Sequence, residues 1–455
     1  MDMHTGDLGS DFIWGVSSSA YQTEGACRED GKGPSIWDVF STTPGRIAGG
    51  QSGNAACDFY ERYVQDLILM QYMNIRNFRF SISWPRILPE GRGRINEKGI
   101  DYYNCLIDFC LEQQIEPWIT LYHWDLPQAL EQQGGWTNRD VIHWFSDYAE
   151  LCMKKFSDRV RYWMVLNEPA VFTGAGYFLG LHAPGRKGLS SFLPAVHHAA
   201  LAQGMGGRLI RSFRSDLQVG TTFSCAPVDA ADTTKAAAMA AQKIDVILNR
   251  LFIEPLLGLG YPASDLKVLH QLEKYMQPGD EKLLPFDMDF IGLQNYTREV
   301  AQHSPMVPYV NAKIIKASRR NVPRTAMDWE IYPEGMYRIL KRFAAYKNIK
   351  SIIITENGAA FDDQVTNGTV NDEERVDYLR RYLFNVCRAK REGVPVNGYF
   401  AWSFTDNFEW TEGYSKRFGL VHVDYATQKR IIKSSGLWYK RLLESHAQLL
   451  LRETG

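Results

Sequence analysis

Short apolar stretches, rich in β-branched and aromatic residues and ending abruptly in polar ones, recur along the chain. They lie at 12–19 (FIWGVSSS), 77–84 (NFRFSISW), 116–124 (EPWITLYHW), 161–168 (RYWMVLNE), 218–225 (QVGTTFSC), 289–296 (DFIGLQNY), 350–356 (KSIIITE) and 396–404 (VNGYFAWSF). Each reads as a strand. Between them the apolar positions recur with helical period, as at 59–73, 100–114, 140–156 and 373–391, and the alanine-rich stretch 230–243 also reads as a helix. Successive strands begin roughly 40–70 residues apart, room for the helix and loop that connect parallel strands. Eight such units predict an α/β fold, a (β/α)8 TIM barrel forming a single domain over residues 1–455 with extended βα loops. The alternative is an open doubly wound sheet, which would carry a glycine-rich phosphate turn after an early strand. The nearest segment, GAGYFLG at 174–180, has the wrong glycine spacing and reads as a loop.

Charge and composition remove several classes of function. With 51 basic and 52 acidic residues the net charge is -1, so there is no electrostatic reason to expect nucleic acid or an anionic membrane as partner. An apolar content of 45% at that charge excludes a disordered chain. No uninterrupted apolar run reaches the ~18–20 residues of a membrane span. The first residues, MDMHTGDLGSDF, lack the basic start and apolar core of a signal peptide, so a cytoplasmic protein is expected. None of the seven cysteines has CxxC spacing. Cys105, Cys110 and Cys152 fall in apolar periodic segments and are expected as small buried thiols. His197-His198 has neither an HExxH pattern nor a companion acid, so no metal and no cofactor is expected. Homo-oligomerisation is left open.

The chemistry gathers where the strands end. Gln22 follows the first stretch, Arg79 lies in the second, and His123 and Trp124 end the third. Asn167 and Glu168 end the fourth, Asn295 and Tyr296 the sixth, Glu356 the seventh, and Trp402 lies in the eighth. In a barrel all carboxyl ends open on one mouth. A glutamate directly after an apolar strand is costly unless paired or functional, and each alone could merely cap a helix. Strands four and seven, however, are three positions apart in an eight-membered ring, so Glu168 and Glu356 can face each other. Opposed carboxyls are the apparatus of glycoside hydrolysis. Gln22, His123, Asn167 and Glu409 suit sugar hydroxyls, while Trp124, Trp329, Trp402 and Trp410 offer flat faces to a pyranose. Trp14, Trp118 and Trp163 read as packing.

The blocks FIWGVSSSAYQTEGA (12–26), FRFSISWPRILPEG (78–91), YHWDLPQAL (122–130), LNEP (166–169), ITENG (354–358) and WSFTDNFEWTEGYSKRFGL (402–420), in this order and spacing, resemble glycoside hydrolase family 1, the β-glucosidases, over essentially the whole length. The resemblance implies a retaining exo-acting β-glucosidase with Glu168 as acid/base and Glu356 as nucleophile. Arg79 and Tyr296 are implied as partners of the nucleophile. Gln22, His123, Asn167, Glu409 and Trp410 are implied as glycone contacts, Trp402 as ring platform and Trp329 as aglycone-side wall. Substrates implied are small β-glucosides and cello-oligosaccharides. A neighbouring Arg79 is expected to lower the pKa of Glu356, while burial and the charge of Glu356 raise that of Glu168.

The chain departs from the family at Gln294-Asn295-Tyr296, where Asn-Tyr-Tyr is usual, so only Tyr296 is carried over. For the family's 6-phospho-β-glycosidases, the corresponding loop here carries Glu409-Trp410, and Phe418 stands where they tend to have tyrosine. A carboxylate there would repel phosphate and favours a neutral glycone. Two rival readings remain from sequence: a transglycosylase, in which a sugar hydroxyl replaces water, and a non-catalytic sugar-binding protein, which would be expected to lose one carboxyl.

Overall fold

All eight apolar stretches form strands in the computed structural model, which describes residues 5–453. They are β1 (Ile13–Ser17), β2 (Asn77–Ser81), β3 (Glu116–Tyr122), β4 (Tyr162–Asn167), β5 (Gln218–Ser224), β6 (Phe290–Gln294), β7 (Ile352–Asn357) and β8 (Val396–Trp402). Every neighbouring pair is parallel, and the order β1-β8-β7-β6-β5-β4-β3-β2 closes into a barrel. The main helices of the outer layer are α1 (Phe59–Tyr72), α2 (Glu97–Glu112), α3 (Val141–Phe156), α4 (Leu189–Phe213), α5 (Lys235–Asp245), α6 (Glu334–Ala344), α7 (Glu373–Arg391) and α8 (Ser434–Glu453). Burial on both faces explains why the strands read as continuous apolar runs rather than alternating ones. The alanine-rich stretch is indeed helical, and the Thr234 hydroxyl accepts from the Ala237 N–H at its N-terminus.

Inside the ring, Trp118, Met164, Phe290, Ile353 and Phe400 pack together. The Trp118 ring lies edge-on to Phe290 and Phe400, with centroids 5.6 and 5.1 Å away. This filling leaves no room for a side chain at residue 15: a β-carbon there would lie 2.4 Å from the Phe400 ring. The barrel is therefore a packed core, and its chemistry must lie at the rim.

Register determines what meets at that rim. Ser17 pairs with both Arg79 and Trp402, Asn167 with Thr222, and Gln294 with both Glu356 and Ser224. Residues hundreds of positions apart thus share one level. Beside the rim, the segment after β8 is tied down by a buried ionic network. Lys433 donates to Asp363 and Asp406 at 2.5 and 2.6 Å, Arg375 pairs with Asp363 and Asp372, and Arg417 donates to Asp406 at 2.6 Å.

Two expectations need correction. GAGYFLG is not a loop: Gly174–Leu179 forms a π-helical turn continuing the helix Pro169–Thr173, and it ends at Gly180, whose φ is 68°. The glycines obscured the helical signal. Cys105 is exposed, whereas Cys110 and Cys152 are buried; Cys105 stands on the outer face of α2, which an apolar-looking window did not resolve. All seven cysteines are unpaired. Among the described residues no helix is long and apolar enough to cross a membrane.

Candidate active site

Glu356, at the end of β7, is buried between two donors. The Arg79 guanidinium donates Nη1–H to Oε1 at 2.5 Å and Tyr296 donates its hydroxyl to Oε2 at 2.6 Å. Arg79 itself has no solvent exposure. Burial pushes the Glu356 carboxyl above its ordinary range, and Arg79 and Tyr296 pull against it. The direction differs from the sequence expectation: the cation does lower the pKa, but desolvation outweighs it.

Glu168 follows β4 at a backbone of φ 47°, ψ 62°, a conformation a side-chain-bearing residue adopts at some cost. Pro169 then opens the short helix at a position where its missing N–H is no loss, and the Glu168 N–H is held by the Thr222 carbonyl at 2.9 Å. Burial pushes the Glu168 carboxyl well up, the negative charge of Glu356 pushes it further, and Ser224 and Arg79 oppose both. Both carboxyls are thus pushed up, Glu168 by burial and by its partner's charge, Glu356 by burial against two donors.

Behind this pair lies a buried polar layer. Asn167 Oδ1 accepts from Arg79 Nη2 at 2.6 Å, Thr222 Oγ1 at 2.8 Å and Gln294 Nε2 at 2.8 Å. Three donors on one oxygen fix the amide, so its Nδ2 faces His123 Nε2 at 3.0 Å. His123 Nε2 must then accept, which places the ring proton on Nδ1. Burial and Arg79 push the imidazole pKa well below its usual value, so His123 is neutral. Trp124 donates its indole N–H to the Asn167 carbonyl at 2.9 Å.

The rest of the rim completes one cavity of about 270 Å³. Gln22 is oriented by the Ser19 hydroxyl, which donates to its Oε1 at 2.7 Å, while its Nε2 donates to the Phe408 carbonyl at 3.0 Å and to Glu409 Oε2 at 3.3 Å. Trp410 packs 4.5 Å, centroid to centroid, from both Trp37 and Trp124. Across the opening Tyr296, Trp329 and Phe418 form an aromatic cluster with centroids 5.2–6.1 Å apart. Gly358 shows how closely β7 and β8 approach here, since a β-carbon on it would lie 1.8 Å from the Trp402 carbonyl oxygen. Burial and the charges of Glu356 and Glu412 push the Glu409 carboxyl up to about 8, against the hydrogen bond from Gln22. Burial thus works against the ionised form of Glu409, on whose charge the expected repulsion of phosphate rests.

Of the expected site residues, Gln22, His123, Trp124, Glu168, Tyr296, Trp329, Glu356, Trp402, Glu409, Trp410 and Phe418 line this cavity. Arg79 and Asn167 lie directly behind it, fully buried. Sequence reasoning missed Thr222, Ser224, His182 and Gln294. The first two end β5 and were reachable by the strand-end rule. Gln294 was set aside as a departure from the family pattern, yet its amide grips Asn167. Asn295 instead donates to the Cys225 and Thr297 carbonyls, at 2.8 and 3.0 Å. His197 hydrogen-bonds Tyr261 and Asp280, and no group of three or more His, Cys, Asp or Glu among the described residues could hold a metal ion.

Two buried carboxyls over one cavity at the mouth of a (β/α)8 barrel, ringed by amides and indoles, define the class as a glycoside hydrolase. The sequence matches the description "Glycosyl hydrolase family 1" over residues 4–448, and the chain belongs to that family. It is 43% identical over 437 residues to a 1,4-beta-D-glucan glucohydrolase of Thermotoga neapolitana, covering 96% of this chain and 98% of that one. It is 42% identical to Beta-glucosidase A of Thermotoga maritima, covering 96% and 97%. The family 1 b-glucosidase from Thermotoga maritima in complex with isofagomine lactam superposes with a TM-score of 0.92 at 42% identity, covering 96% of this chain and 98% of that one.

Proposed function

We propose that this chain is a retaining exo-β-glucosidase, releasing terminal β-D-glucosyl residues from small β-glucosides and cello-oligosaccharides. The observation that carries the reading is the asymmetry of the carboxyl pair: Glu356 is clamped by two donors, while Glu168 is held up by burial and by its partner's charge. In the first step Glu168 gives its proton to the glycosidic oxygen as that bond breaks, and Glu356 forms an ester to the anomeric carbon. Burial still raises Glu168 after esterification, but the push from the Glu356 charge is gone, so its pKa falls and Glu168 can take a proton from water. That water attacks the anomeric carbon, the ester bond breaks, and β-glucose leaves with both carboxyls restored. The 2-hydroxyl is assigned to Asn167, which lies behind the cavity wall with its Oδ1 taken by three donors, so that contact falls to its Nδ2–H; Glu409, Gln22 and Trp410 are assigned to the distal hydroxyls. A neutral sugar is favoured over a phosphorylated one because, among the described residues, no lysine or arginine lines the cavity.

The test is the stereochemistry of the first product together with capture of the intermediate. Proton NMR of the nascent sugar should show the β-anomer before mutarotation. A 2-deoxy-2-fluoro-β-glucosyl fluoride should leave its sugar on the peptide containing Glu356. Release of α-glucose, or a label on another carboxyl, would overturn the assignment.

A further inference from the structure

The chain leaves Tyr296 along a path that separates neighbouring side chains. Tyr296 reaches Glu356, whereas the Thr297 hydroxyl donates to the Glu330 carbonyl at 3.1 Å. Arg298 turns outward, pairing with Glu330 and Asp229 at 2.8 and 3.1 Å and covering the Tyr332 ring at 4.1 Å. Residue 299 opens the strand Glu299–His303, and side chains alternate along such a backbone. Glu299 therefore faces the opposite side from Arg298, and there it lines the substrate cavity together with Leu248, Met327 and Trp329. Its backbone is fixed, the N–H donating to the Pro227 carbonyl at 2.8 Å and the residue pairing with Val228.

What sets Glu299 apart is that it has nothing to hold. Glu330 and Asp229, its neighbours, each bind two arginines. The Glu299 carboxyl makes no hydrogen bond and no ion pair among the described residues, and Arg320, the cation that acts on it electrostatically, is engaged with Glu330 at 2.5 Å. Burial pushes this carboxyl up to about 7 in spite of Arg320. Glu299 is only half-buried, so in the free protein its carboxyl is open to the cavity; a ligand seated there displaces that solvent and must supply hydrogen bonds in its place.

We propose that Glu299 is a specificity-determining residue for the leaving group, hydrogen-bonding the hydroxyls of a second sugar whose ring lies along Trp329. The inference rests on the β-glucosidase reading above and names the leaving-group class that this particular chain prefers: a carbohydrate rather than an aryl or alkyl group. A site built to bond hydroxyls discriminates strongly against groups that lack them, whereas a bare aromatic wall would accept either.

The test compares cellobiose with 4-nitrophenyl β-glucoside in the wild type, in E299Q and in E299L. In E299L, kcat/KM for cellobiose should fall about 10-fold or more, chiefly through KM, while that for the nitrophenyl glucoside stays within about 2-fold. E299Q, which keeps hydrogen-bonding capacity, should stay within about 3-fold of wild type on both. Retained nitrophenyl activity in E299L also certifies its fold; should that variant not fold, the same cellobiose-to-nitrophenyl ratio is read in E299A. Equal losses on both substrates, no loss on either, or a wild type that cleaves the nitrophenyl glucoside but not cellobiose would overturn the Glu299 assignment alone. A wild type that cleaves neither would overturn the β-glucosidase reading as well.

Discussion

At the scale of single residues, the two carboxyls have different surroundings, and the proposed mechanism gives them different work. On the proposed mechanism, replacing Glu356 with Gln removes the nucleophile while keeping size and most hydrogen bonding, so turnover should fall by about 10⁴-fold or more with the fold intact. Steady-state rates and a circular dichroism melt check both halves. Removing the proton donor has a more selective effect. Glu168→Ala should lose about 10²–10⁴-fold on phenyl β-glucoside, whose leaving group needs a proton, and far less on 2,4-dinitrophenyl β-glucoside in the first step. Equal losses would exclude an acid role. The proposed mechanism needs Glu168 protonated and Glu356 ionised, so kcat/KM should fall as pH drops through the Glu356 pKa and as it rises through that of Glu168. Since burial raises both, the whole bell should lie above the range of free carboxyls, and Glu168→Ala should abolish its basic limb. These two residues were legible in the sequence because a charge directly after an apolar strand demands a reason. Gln294 was not, since a neutral amide at a strand end is unremarked until its partner, 127 positions away, is known. The upward push on the Glu409 carboxyl was equally hidden, because it depends on burial in the folded rim and on Glu356 and Glu412 being near.

At the scale of elements, strands were legible and the segments that equip them only partly so. Both-face burial makes each barrel strand a compact apolar run, readable without its neighbours. The connection after β8 is different: its position is set by charges from three remote segments. Asp406 accepts from Lys433 and Arg417 and from the Gly419 N–H at 3.0 Å, three and four residues before Glu409 and Trp410. Burial pushes the Lys433 amine down while Asp406 and Asp363 hold it up, and Asp406 is kept below its ordinary range by Lys433 and Arg417 against burial. Lys433→Met would leave two buried acids short of their cation, a loss of about 3–5 kcal/mol. With an unfolding entropy of about 2 cal/mol/K per residue, that corresponds to about 3–5 °C in Tm for a chain of this length. Calorimetry checks the stability, and a rise in KM with little change in kcat on activated substrates checks that the loop carrying Glu409 has moved. The sign with pH follows from Asp406. Its depressed pKa contributes stability above the ordinary carboxylate range, and this is lost as pH falls through the depressed value, so D406N should show a shallower acid destabilisation than wild type.

At the scale of the whole molecule, the barrel makes neighbours of residues that no local reading connects. Gln22 and Glu409 are 387 positions apart and share a hydrogen bond, and Arg79 meets Glu356 across 277. That eight units would close was readable from their number and spacing; the diameter and register that set the cavity were not, because they depend on how the interior rings of Trp118, Phe290 and Phe400 fill the barrel. Since every strand contributes to closing the ring, and contacts to the cavity come from before β1's helix to beyond β8, a glucose-shaped ligand can bind only the folded chain. Its binding free energy is then stability of the entire barrel, RT ln(1 + [L]/Kd), or about 2.7 kcal/mol at a hundredfold excess over Kd. By the same entropy scaling Tm should rise by about 3 °C. Differential scanning calorimetry with and without a glucose-configured iminosugar measures this directly. The rise should persist in E356Q, which keeps the binding groups. It should largely vanish in W410A, which removes part of the cavity wall assigned above to the sugar. Persistence in W410A would place the ligand elsewhere than in this cavity, and loss in E356Q would mean that the nucleophile's charge, rather than the polar rim, holds the sugar.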